Sequence, residues 1–495
     1  MRGNWSRRRF LLATGGIAGA ALFSACAPAS APGVSEPAVE AVETVAPGEK
    51  VAEAPVTIQF WTPGGGLFAE QHDPEWEAGA KISTDTEGKE QKEYWPWIRI
   101  YQMQQTYPHV TVECQTFGWG EYWEKFDVAF AAGVVPDIML MTPDRMPKYS
   151  KAGGLLDLWD ISETLGLKAE DYYESSIEAF TTVENKLEAW PNSTYALGFG
   201  VNLGNVREQG VEGMLPPGPD YQLKSFDDTM ELLKALTYER NGQQVWGTIW
   251  TGGGGAVSQW PYTGSVVWGH GADWICDRGR ADEVCLDTEA GIAAIKWIED
   301  SIFTHKVAPE GMAVATGNEI NDLWFRSRLS LYHSAWGGGM QGQIQEVKKL
   351  QEAGEDVPDL EVQLMRPPAV EGAEPAVVAD PTGFSLPKTN DAVKQQWAAE
   401  FMRLMVTGDA VDDGRPYYLS AHLATAKQQQ ELDPYLAYEA EYLIPIGRPR
   451  GAHPKYAEIA NLWQQEIQAV LAGTKHADEA VTSFAEAARI ALREA

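Results

Sequence analysis

The sequence predicts an α/β fold, and three observations carry that expectation. Strand-like and helix-like segments alternate after residue 55, the strand-like runs are rich in β-branched and apolar residues, and glycine or proline marks the joints. Residues 56–62, VTIQFWT, alternate as a strand does. A polar, tryptophan-bearing stretch follows, then a helix over 96–106 with Trp97 and Tyr101 at helical spacing, stopped by Tyr107-Pro108-His109. Residues 110–114 read as the next strand. A helix over 121–132 places Tyr122, Phe126, Ala129 and Phe130 at helical spacing and ends at Gly133. Residues 136–141 supply the third strand. This order implies a largely parallel sheet buried between helices.

The pattern recurs later in the chain. Ser225-Phe226-Asp227-Asp228 is a capping-box-like start, after which Phe226, Met230 and Leu233 mark one helical face. Val393, Trp397, Phe401 and Leu404 form a second stripe, and Tyr456, Ile459, Trp463, Ile467 and Val470 a third. All three are expected to face the core. No internal repeat is visible.

Composition is that of a globular chain, 44% hydrophobic and 22% charged. The formal net charge of −31 repels phosphate backbones and argues against a nucleic-acid partner. The eight histidines show no H-x-x-x-H spacing, and Asp409, Asp412, Asp413 and Gly414 do not form an EF-hand loop. Residues 252–255 are glycines without the Lys-Ser/Thr that phosphate cradling needs, and no nucleophile elbow or dinucleotide fingerprint occurs. No metal, no cofactor and no catalytic residue is therefore expected.

The N-terminus reads as an address. Ser6-Arg7-Arg8-Arg9-Phe10-Leu11 resembles the twin-arginine export signal, and the apolar stretch 11–23 is too short to span a bilayer. Phe23-Ser24-Ala25-Cys26 resembles a bacterial lipobox, in which Cys26 would be acylated. Residues 1–25 are thus expected to be a signal peptide. Residues 26–55, rich in Ala, Pro, Glu and Val without an aromatic, are expected to be a disordered tether. Three cysteines remain. Cys276 and Cys285 bracket a polar loop and are placed to close a short disulfide outside the cytosol, the alternative being two reduced thiols. Cys114 lies in a strand-like run as a small hydrophobe.

Further segments carry a family resemblance. They are Phe60-Trp61-Thr62, Tyr107-Pro108, the run FAAGVVPD over 130–137, GGLLDL over 153–158, LEAWPNSTYALGFGVN over 187–202, Pro216-Pro217 with Ser225-Phe226, and FRSRLSL over 325–331. In this order they resemble the extracellular solute-binding proteins of ABC importers, in the maltose-binding-protein-like sugar group. Ser225-Phe226 and Ser327 depart from the residues usual there. The resemblance implies a two-lobed periplasmic-binding-protein type II fold with a hinge, not an enzyme. Lobe 1 would be 56–190 plus 314–370, lobe 2 would be 191–313 plus 376–495, and Pro191 and Asn192 would lie at the first crossing. It also implies a carbohydrate ligand, a membrane permease with its ATPase subunit as partners, a monomer, and a place at the outer face of the cytoplasmic membrane.

Nineteen tryptophans are a heavy load for this length, and aromatic faces stack on the apolar faces of sugars. Aromatic and polar residues on loops after strands are the candidate ligand contacts: Trp61, Trp119, Asp144, Trp250 and Trp336, with Asn192 and Tyr195 on the hinge strand. Trp397 and Trp463 are expected in the core, and Trp268 and Trp274 stay undecided. Two other classes remain open, a secreted glycoside hydrolase or lyase, which needs two carboxylates across a scissile bond, and a surface adhesin. The insertion at 71–95 is placed to reshape the cleft.

Overall fold

The computed structural model describes residues 54–63, 83–84, 90–91, 95–117, 119–182, 184–253, 260–407, 418–450 and 453–493. The signal-like segment, Cys26, the tether and nearly all of the 71–95 insertion lie outside them. So does the Asp409–Gly414 stretch.

Two mixed sheets organise the chain. In chain order their strands are β1 (Val56–Pro63), β2 (Val110–Phe117), β3 (Ile138–Met141), β4 (Trp190–Thr194), β5 (Ala196–Asn202), β6 (Leu331–Ala335), β7 (Val362–Met365), β8 (Val377–Ala379), β9 (Thr382–Ser385), β10 (Leu419–Ser420) and β11 (Gly447–Arg448). The first sheet runs β10-β4-β9-β3-β1-β2. Its β1 lies parallel to β2 from Val56↔Val110 to Pro63↔Phe117, and parallel to β3 at Phe60↔Ile138. The second sheet runs β6-β5-β8-β11, with β7 also antiparallel to β5.

Alternation in β1 explains why it holds the first sheet. Ile58 and Phe60 point inward and are fully buried, and Phe60 meets Phe384 and Phe401 edge-on at 5.8 and 5.6 Å. The helix Trp119–Ala132 ends at Gly133 with φ 67°, a left-handed cap that glycine takes without strain. The Ser225 hydroxyl accepts from the Asp228 amide at 3.0 Å, capping the helix Phe226–Ala235. Phe226, Met230 and Leu233 on that helix are buried, as are all five residues of the third stripe on the helix Tyr456–Leu471. The second stripe is rotated. Val393 is 53% exposed, and the helix Ala392–Val406 buries Ala398, Phe401, Met402 and Met405 instead. Spacings of four residues drift around a 3.6-residue turn, so the stripe leaves the core at its N-terminal end.

The expected division into lobes needs correction. Segment 314–370 belongs with the second sheet, because β6 and β7 both pair with β5. Segment 382–406 belongs with the first, since β9 pairs with β3 and β4 and Phe401 packs on Phe60. The first crossing also moves. Pro191 and Asn192 sit inside β4, and the chain changes sheets at Tyr195, between β4 and β5. A second crossing follows at Asp380-Pro381, between β8 and β9, and a third lies between β10 and β11. A small apolar cluster of Ala196, Val377, Ala379, Leu419, Leu436 and Leu443 packs around these crossings. Cys276 and Cys285 are disulfide-bonded. Among the described residues no helix is long and apolar enough to cross a membrane.

Candidate functional site

The carboxyl ends of the parallel strands β1, β2 and β3 lie side by side, and ligands of open α/β sheets gather at such ends. The loop after β3, Thr142-Pro143-Asp144-Arg145, is buried apart from Arg145. Its Asp144 is 8% exposed and lies within electrostatic reach of Tyr195, Asp380, Arg450 and Tyr456. These partners come from the first crossing, the second crossing and the second lobe. The carboxyl end of the first sheet is thereby joined to the hinge.

Charge decides how this cluster is built. Arg450 pairs with Asp380 through its guanidinium, and its backbone amide donates to Asp380 Oδ1 at 3.5 Å. Burial alone would depress the Arg450 pKa, but the carboxylates of Asp380 and Asp144 outweigh it and hold the guanidinium above its ordinary value. Burial pushes the Asp380 carboxyl up, and Arg450 opposes that shift. The Tyr195 hydroxyl donates to Asp380 Oδ2 at 3.3 Å, and its ring lies 5.4 Å from Tyr418. Arg145 approaches Asp144 Oδ2 at 3.4 Å and lies over the Trp123 ring.

Two acceptors in this region are buried and have no hydrogen-bond partner among the described residues: Asp144 Oδ1 and Asn192 Oδ1. Asn192 is 5% exposed on β4, where its carbonyl accepts from the Ala421 amide at 3.0 Å. A buried acceptor left unmatched is costly, so both oxygens suit a donor brought by a ligand, such as a hydroxyl.

The other expected contacts fall in three places. Trp61 lies on β1, half-buried, with its ring against Phe117 at 5.2 Å. Trp119 opens the helix Trp119–Ala132, and its side chain lies outside the described residues. Trp336 follows β6 directly and is the N-cap of the helix Gly337–Glu352. Its half-buried indole covers Gly339, where a Cβ would come within 2.3 Å of the ring. Trp250 is placed differently from the expectation. It is 1% exposed in the second-lobe core, donates Nε1–H to Ser301 Oγ at 2.7 Å, and lies against His333 at 4.3 Å. That indole is spent on packing. Trp268 and Trp274 also join this core.

At the start of the Gly337–Glu352 helix lies Glu439, a fully buried carboxyl that sequence reasoning missed. It accepts from the Ala196 amide at 2.6 Å and from Gly338 at 3.3 Å, so it ties the root of β5 to the start of the Gly337–Glu352 helix. Burial pushes its pKa up to about 8 against the pull of those amides. Tyr456 reads in the sequence only as a core residue, and Asp380 and Arg450 were missed as well. The only signal for them was an Arg-Pro-Arg run, Arg448-Pro449-Arg450, within an acidic chain.

Comparison with known proteins fits this geometry. The family model for bacterial extracellular solute-binding proteins matches residues 80–411. Among solved structures, UgpB from Mycobacterium tuberculosis in complex with glycerophosphocholine superposes with a TM-score of 0.67 at 17% identity, covering 89% of this chain and 99% of that one. The cyclic α-maltosyl-1,6-maltose binding protein from Arthrobacter globiformis gives 0.66 at 17%, covering 89% and 100%. Maltose-bound MalE3 of T. maritima gives 0.65 at 15%, covering 88% and 99%. At such identities the likeness establishes the two-lobed fold.

Proposed function

The chain belongs to the bacterial extracellular solute-binding protein family, and from that premise we propose that it captures a sugar or sugar-like ligand between its lobes and delivers it to the permease of an ATP-driven importer. The observation that carries the sugar reading is the pair of buried, unmatched acceptors, Asp144 Oδ1 and Asn192 Oδ1, beside the hinge. Hydroxyl groups supply the donors these oxygens lack, and half-buried indoles such as Trp336 offer a face for C–H stacking. The lobes pivot at Tyr195 and Asp380, so closure brings Arg450 of the second lobe toward Asp144 of the first.

The N-terminal segment serves as a twin-arginine signal and Cys26 as the acylated residue. The mature chain then hangs by its tether from the outer face of the cytoplasmic membrane, as a monomer. It performs no chemistry on its ligand. Asp380 is paired with Arg450 and Asp144 lies against Arg145, an arrangement suited to holding a ligand rather than to dividing acid and base roles across a glycosidic bond. Thermal unfolding of the protein with glucose, maltose, maltotriose and glycerol tests the reading, followed by chromatography of each recovered compound. Stabilisation by at least one compound that returns unchanged supports it. Conversion of a sugar to products overturns it.

A further inference from the structure

Alongside the interlobe network the second lobe holds a narrow pocket, lined in part by Trp268, Asp273, Arg278, Arg448, His453 and Tyr456. The segment Arg448-Pro449-Arg450 serves both places, sending Arg450 to Asp380 and Arg448 to the pocket. Tyr456 likewise lines the pocket and feels the charges of Arg450 and Asp144. The pocket and the hinge network therefore share Tyr456 and the Arg448-Pro449-Arg450 segment.

Its charge is unlike that of the chain around it. The whole chain carries −31, yet here two guanidiniums face one carboxylate. Arg448 lies 5.6 Å from the Trp268 ring and 3.8 Å from Asp273. Burial depresses its pKa, Asp273 opposes that, and the like charge of Arg278 adds to it. The His453 ring is already engaged, bonded to Asp282 at 2.7 Å. Arg448 thus faces Asp273 and His453 faces Asp282, whereas Arg278 lines the pocket with no ion pair of its own among the described residues, and an anion would supply one.

The wall that presents Arg278 is held firmly. Asp277 and Arg278 both adopt left-handed backbone, φ 51° and 53°, inside the loop closed by the Cys276–Cys285 disulfide. Non-glycine residues stay in that region only where their surroundings enforce it. Two residues on, Arg280 reaches Glu178 of the first lobe at 3.2 Å, so this wall stands where the lobes meet.

We propose that this pocket is a subsite for an anionic group, carboxylate or phosphate, carried by the captured ligand. The proposal rests on the sugar-binding reading above and narrows it to acidic sugars or sugar phosphates. The pocket is too narrow for a sugar ring, so the ring stays in the cleft and one substituent enters between Arg278 and Arg448. Arg448 and Arg278 bind that substituent, and the disulfide loop keeps Arg278 in place.

Calorimetric titration of the full chain with glucose, glucuronate and glucose 6-phosphate tests this, using wild type, Arg448→Gln and Arg278→Gln. The two anionic probes separate carboxylate from phosphate. The proposal expects one of them to bind at least tenfold tighter than glucose, and both variants to lose that preference while binding glucose as wild type does. The preference also falls with rising salt. Equal affinity for neutral and anionic probes, or variants that keep the preference, overturns the subsite and leaves the sugar reading standing. No binding of any of the three overturns the subsite too, and a wild type that also ignores neutral oligosaccharides takes the sugar reading with it.

Discussion

Tyr195 donates its phenolic hydrogen to Asp380 Oδ2 at 3.3 Å. Each residue stands where the chain passes from one sheet to the other, so this bond fastens the first crossing to the second. Arg450 pairs with the same carboxylate. Tyr195→Phe removes one hydrogen bond and is expected to cost about 1 kcal/mol. Asp380→Asn strips a buried guanidinium of its closest carboxylate and is expected to cost about 3 kcal/mol or more. Urea unfolding of the two variants checks the order. Equal losses would mean that the Asp380–Arg450 pair adds nothing to the crossing.

Two tryptophans separate binding from stability. Trp336→Ala is expected to weaken sugar affinity tenfold or more, about 1.4 kcal/mol, with little change in unfolding midpoint. Trp250→Ala empties a core site and is expected to cost about 3–5 kcal/mol of stability. Titration with a stabilising sugar, alongside denaturant curves, distinguishes them. Wild-type affinity in the Trp336 variant removes that indole from the site.

Much of this arrangement was legible beforehand, and the misses have physical causes. Strands β1 to β3 announced themselves through alternation and β-branched residues, and the cap at Ser225 through its hydroxyl. The apolar run at 187–202 reads as one strand, because both of its halves are buried and nothing local marks the change of sheet at Tyr195. Segment order alone puts 314–370 with the first lobe, and the structure moves it because strand pairing is long-range: β6 and β7 meet β5 more than a hundred residues earlier in the chain. Asp144 is singled out by its place after a strand. Its neighbours Asp380 and Arg450 lie far along the chain, where no spacing rule reaches. Trp250 follows the same loop logic as Trp336, yet the His333 ring and the Ser301 hydroxyl draw it into the core.

Acidity acts on Glu439. Its carboxyl has an ordinary value of 4.5 and is pushed up to about 8 by burial. Between those values the folded chain keeps a proton that the unfolded chain has released, so this residue's contribution to stability is lost as pH rises through the window. Glu439→Gln is expected to flatten the dependence of melting temperature on pH from 5 to 8. An unchanged slope would show that Glu439 ionises in the fold as it does in water.

The disulfide closes a short loop, and its removal in a Cys276→Ser, Cys285→Ser variant is expected to cost about 2–3 kcal/mol on the chain-entropy account. Thermal unfolding with and without reductant checks this. Wild type should fall to the level of the variant once reduced, and the variant should ignore the reductant.

The most direct test of the central claim is small-angle X-ray scattering on the full chain, with and without a saturating sugar that stabilises it. Hinge closure about Tyr195 and Asp380 predicts a smaller radius of gyration in the bound state, and Asp144→Ala should need more sugar to reach it. A radius that does not change when the sugar is bound would contradict capture by lobe closure.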